Sequence, residues 1–63
     1  MIKEFRKLKG LSQRDLSNLT GINIRTLQAY EQGARNLNKA NFDTLLTLSK
    51  ALDCEIEDLL KKV

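Results

Sequence analysis

A chain of 63 residues, 41% of them hydrophobic and 30% charged, has globular composition and room for one small core. The formal net charge is +3, there is no histidine, and Cys54 has no second cysteine to pair with, so a zinc site lacks ligands and the commonest catalytic base is missing. No apolar run approaches the roughly 20 residues that a membrane span requires, and the charged start MIKEFRKLKG is no secretory leader, which predicts a reducing, cytoplasmic setting without membrane, metal or cofactor.

The glycines at 10, 21 and 33 each follow a stretch of helical periodicity, and the chain has no proline, so each glycine reads as a helix stop. The spacing predicts a first helix over residues 2–9, with Ile2, Phe5 and either Leu8 or the Lys9 stem toward the core. A second helix over 13–20 opens with a Ser12 cap and with Asp15 returning to the Ser12 amide. It is expected to bury Leu16 and Leu19, while small Ser17 lets the next helix approach. Gly21 ends it, and Asn23 caps a third helix over 24–32 only two residues later, with Ile22 between. So short a joint forces a steep exit, which makes residues 12–32 a helix-turn-helix.

The third helix is predicted to bury Leu27, Tyr30 and one side of Glu31. A loop over 34–40, rich in asparagine and basic residues, leads to a fourth helix capped by Asn41. Phe42, Leu45, Leu46, Leu48, Ser49 and Leu52 form its apolar stripe. A fifth helix over 56–62 places Ile56, Leu59, Leu60 and Val63 on one side, with Glu57 and Asp58 at its positive start and Lys61 and Lys62 near its end. The expected fold is all-α, five short helices in one domain spanning 1–63.

Charge is divided unevenly along this plan. Residues 1–39 hold eight basic and three acidic side chains, net +5, whereas residues 40–63 hold three basic and five acidic, net −2. The basic part contains the helix-turn-helix, which points to a polyanion, double-stranded DNA, as the partner; an ordinary solvated surface is the plain alternative. A short helix can enter the major groove and present its exposed side chains to base edges. With Leu27 set at the core, 100° steps put Arg25, Ala29 and Gln32 on the far face, flanked by Gln28 and Thr26, and no acid lies there. Ile24, Arg25, Gln28 and Ala29 are the predicted base contacts: Arg25 toward guanine, Gln28 toward adenine or a phosphate, Ile24 or Ala29 toward a thymine methyl. Gln13 at the start of the second helix, its neighbour Arg14, and Asn23, Thr26, Gln32, Arg35, Asn36 and Lys39 are assigned to phosphates. Each of these long polar side chains taken singly reads equally well as solvated surface.

The chain resembles the Cro/repressor-type, XRE-like helix-turn-helix family through Arg6, Gly10-Leu11-Ser12-Gln13, Leu16, Gly21-Ile22, Thr26-Leu27, Tyr30-Glu31 with Gly33, Leu45-Leu46, Lys50-Ala51-Leu52 and Asp58-Leu59-Leu60. The resemblance covers nearly the whole chain. It implies a five-helix domain whose third helix reads the major groove, with Gln13 anchoring the backbone and an Arg6–Glu31 ion pair that is structural. The segment after Gly33 runs about three residues longer than the commonest family pattern and lacks its proline, and Glu55 stands where a serine-like cap often opens the fifth helix.

Two functions follow as expectations, neither of them enzymatic. The leading one is a sequence-specific transcriptional regulator, a repressor that binds a two-fold operator as a homodimer; the candidate dimer surface is the fifth helix and the end of the fourth, where Ile56, Leu60 and Val63 read equally well as dimer contacts or as intramolecular core. The alternative is an antitoxin or adaptor that works through a protein partner, a toxin or regulator, with or without binding DNA.

Overall fold

The second, third and fourth helices each start where a side chain takes a first free amide and stop where the backbone turns left-handed. The structure, a computed structural model, describes residues 2–60. It contains α1 (Ile2–Leu8), α2 (Gln13–Thr20), α3 (Ile24–Gln32), α4 (Phe42–Leu52) and α5 (Ile56–Leu59), with a single 3-10 turn, Leu37–Lys39, between α3 and α4. The described residues are helix and connecting turns throughout, an all-α bundle. At the start of α2 the predicted capping box is closed on both sides: the Asp15 amide donates to Ser12 Oγ and the Ser12 amide to Asp15 Oδ2, each at 2.9 Å. Asn23 and Asn41 cap α3 and α4, accepting from the amides of Arg25 at 2.7 Å and Thr44 at 2.8 Å. Helix α5 lacks such a cap oxygen, and Asp58 instead takes the Glu55 amide at 3.1 Å.

The core is built almost wholly from aliphatic side chains. Ile2, Leu16, Leu27, Leu48, Leu52 and Leu59 form it, one or two from each helix, with Phe5, Leu11, Ile22, Tyr30, Leu37, Ala51 and Cys54 packed around it. In α4 the buried set Leu45, Leu48, Ser49 and Leu52 follows the expected stripe.

Among the described residues three large apolar side chains stand in solvent: Leu8 at 80% exposure, expected inside only as an alternative to the Lys9 stem, and Leu19 at 63% and Phe42 at 64%, both expected inside. The reason in α2 is that its inward stripe runs Gln13, Leu16, Ser17, Thr20, and its polar members are useful there. The Ser17 hydroxyl donates to the Ile22 carbonyl at 2.6 Å, the Ile22 amide donates to Thr20 Oγ1 at 3.1 Å, and the Thr20 hydroxyl donates to the Leu16 carbonyl at 2.8 Å. These bonds hold the turn around Gly21, whose φ of 75° is left-handed, and leave Leu19 on the other side. In α1 the inward set is Ile2, Phe5 and Arg6, so Leu8 falls outside it and the helix stops one residue short of Lys9. Phe42 is in line with the α4 stripe but occupies the first residue of that helix, beyond the core. The fifth helix is one turn, Ile56–Leu59; the predicted positions Lys61, Lys62 and Val63 lie outside the described residues.

Candidate nucleic-acid interface

Arg6 comes from α1 and Glu31 from the last turn of α3, and both side chains are nearly closed off from solvent, at 10% and 3% exposure. An ionised pair in that setting needs its donors and acceptors matched. Arg6 Nε donates to Glu31 Oε2 at 2.8 Å, Nη2 to Oε1 at 3.0 Å, and Nη1 to the Leu11 carbonyl at 2.9 Å. The fork-on-fork bond is the arrangement a guanidinium favours with a carboxylate. Burial pushes the Glu31 carboxyl up, but the bonds from Arg6 and Gln13 and the charges of Arg6 and Lys3 outweigh it and hold the group below its ordinary range. The bond to Glu31 raises Arg6 above its own ordinary value in turn.

This pair governs the outer side of the helix-turn-helix. Glu31 is the one acidic residue in α3, and it is turned inward, so the outward face carries no carboxylate. Arg25 and Gln32 are exposed on that face, and Ile24, Thr26, Gln28 and Ala29 are half-buried around them. Gln13 and Gln28 are drawn together: Gln13 Nε2 donates to Glu31 Oε1 and Gln28 Nε2 donates to Gln13 Oε1, each at 3.1 Å. Asn23 uses its Oδ1 as the α3 cap. Arg14 is exposed on α2.

A second group gathers beyond the end of α3. Gly33 turns left-handed at φ 83°, which brings Arg35 back over the ring of Tyr30, its guanidinium carbon 5.5 Å from the centroid. Asn36 Oδ1 accepts from the Asn38 amide at 2.9 Å and so caps the 3-10 turn. Arg35, Asn36 and Lys39 line an open cleft of about 490 Å³ with Tyr30, Ala40, Asn41 and Thr44, the start of α4 forming its far wall. Sequence reasoning named the three polar or basic residues; it missed Tyr30 as the platform for Arg35 and the side chains of the α4 first turn. A five-residue step across a left-handed glycine is the local signal that joins Tyr30 to Arg35. The Gln13–Gln28 contact has no local signal, because it depends on how α2 crosses α3.

The arrangement offers one polar, acid-free helix face and one cationic cleft, features suited to base edges and to phosphates respectively. Among the described residues no helix is long and apolar enough to cross a membrane. Neither curated proteins nor solved structures give a match to this chain. The family described as Helix-turn-helix matches residues 2–59, nearly the full length, and that family is a DNA-binding regulatory domain with no catalytic role. The chain belongs to the Cro/repressor-type, XRE helix-turn-helix family of DNA-binding regulators.

Proposed function

We propose that the protein is a sequence-specific transcriptional repressor, one domain over residues 1–63, that binds a two-fold DNA operator as a homodimer with α3 in the major groove. The observation that carries this is the inward tie of Glu31 to Arg6, which leaves the α3 face free of negative charge. Arg25 donates to guanine, Gln28 to adenine, and Ile24 and Ala29 contact thymine methyls. Gln13, Arg14, Thr26 and Gln32 flank the helix against phosphates, Asn23 contributes its side-chain NH2, and Arg35, Asn36 and Lys39 hold the strand that passes the cleft.

One helix reads few base pairs, so two copies about 34 Å apart on one DNA face supply the affinity and specificity. Helix α5 is the candidate contact between copies: Leu59 is spent in the core, while Ile56 and Leu60 are half-buried. In vitro selection of bound DNA from a random pool tests the whole reading. The expected result is a palindromic consensus with half-sites one helical turn apart. Equal affinity for all sequences, or no binding at low salt, overturns it.

A second reading, an antitoxin or adaptor that docks a protein partner, draws support from exposed Leu8, Leu19 and Phe42, none of which the repressor reading uses. It predicts DNA binding with little salt dependence, whereas the repressor reading predicts a steep one.

A further inference from the structure

Arg6, Glu31, Gln13 and Gln28 form a continuous run of hydrogen bonds from α1 through α3 and α2 and back to α3. The run has a direction. An ionised carboxylate only accepts, so the part of Gln13 that meets Glu31 must be its NH2. The Gln13 carbonyl oxygen then faces Gln28, and only the Gln28 NH2 satisfies it. This order follows from the charge of Glu31 and holds whichever way round an amide is drawn. What Gln28 keeps for the outside is its carbonyl oxygen and its second amide proton. One acceptor beside one donor complements the N6 amino group and N7 of adenine.

Resting on the proposed reading of Gln28 as a base contact, we infer that Glu31 is a positioning residue for base selection: its carboxylate, through Gln13, fixes which end of the Gln28 amide is turned to the DNA. Without that carboxylate both Gln13 orientations become available, and Gln28 loses its preference for one end over the other. With a pure donor at position 13 the order reverses. The Gln28 carbonyl is then drawn inward and its two amide protons turn outward, which suits the O6 and N7 acceptors of guanine.

Two variants separate this from a purely structural role. Arg6→Met/Glu31→Leu removes both charges together, so no lone ion is stranded in the interior. Gln13→Lys keeps a charged contact with Glu31 and offers Gln28 donors alone. Selection of bound DNA is run on the unsubstituted chain, Gln28→Ala and both variants, with folding of each checked by circular dichroism. Gln28→Ala is expected to flatten one operator position. At that position the double variant should lower the adenine preference by about fivefold or more, and Gln13→Lys should replace adenine by guanine. A structural ion pair would move stability and overall affinity and leave the base at that position alone. If Gln28→Ala flattens a position and the folded variants keep its base and its preference, the inference is overturned and base reading by Gln28 stands. If Gln28→Ala flattens nothing, base reading by Gln28 is overturned and the inference falls with it. Should the double variant not fold, Gln13→Lys decides alone.

Discussion

Arg6 and Glu31 show how one contact sets both stability and surface chemistry. Removing either partner leaves the other as an uncompensated charge, since both side chains are almost fully enclosed. Arg6→Ala or Glu31→Ala should therefore cost about 3–5 kcal/mol, measured by urea unfolding. The pair also predicts an acid response. Glu31 is held below its ordinary range in the folded protein, so its contribution is complete above the unfolded carboxyl value of about 4.3 and is lost as pH falls through it toward the folded value. Asp15, lowered by its bonds to the Ser12 amide and hydroxyl, acts in the same direction. Stability plotted from pH 6 to pH 3 should fall in the unsubstituted chain and fall less steeply in Glu31→Gln. On the DNA side, Arg25→Ala should cost about 1–3 kcal/mol and relax one operator position, whereas Arg35→Ala should weaken all sequences alike and reduce the salt slope by about 1. Titrations against the selected site and a scrambled site at several salt concentrations distinguish the two.

The helices carry their own start and stop signals, and these were legible. Ser12 with Asp15, Asn23, Asn41 and the left-handed glycines fall where the sequence places them, because caps are local chemistry within three or four residues. The inward faces of the short helices were less so. With two turns apiece, α1 and α2 offer too few residues for hydrophobicity alone to choose between stripes, and the winning stripe in α2 includes Ser17 and Thr20, which serve the turn. One terminus departs from the glycine rule: α4 ends at Asp53 in the left-handed region at φ 56°. A side chain there costs roughly 1–2 kcal/mol, part of which a glycine would return as extra freedom in the unfolded chain. The exposed contact of Asp53 with Lys9, at 3.7 Å, contributes little against that. Asp53→Gly should raise stability by about 0.5–1 kcal/mol, visible as a higher thermal midpoint.

At the scale of the molecule, the margin is narrow. A chain of this length has a total stability of about 3–9 kcal/mol, and Leu16, Leu27 and Leu48 are each fully buried. Any one of them changed to alanine should cost about 2–5 kcal/mol and leave a substantial unfolded fraction at 37 °C, read by circular dichroism. The all-helical fold was legible from periodicity and glycine placement, and the outer face of α3 from the step of 100° per residue. The contacts that organise the site were not, since Gln13 meets residues 15 and 18 positions away on another helix, and only the packing of α2 on α3 brings them together. That same contact limits how the protein can be re-targeted. Positions 25, 29 and 32 have no partner across the helix pair among the bonds described and are open to exchange one at a time. Positions 6, 13, 28 and 31 are joined in a single hydrogen-bonded block. On the proposed reading, a library that randomises α3 alone should find position 28 constrained by a residue outside it, and a graft of α3 onto another scaffold should carry its reading over only where the recipient supplies the same glutamine and the same arginine.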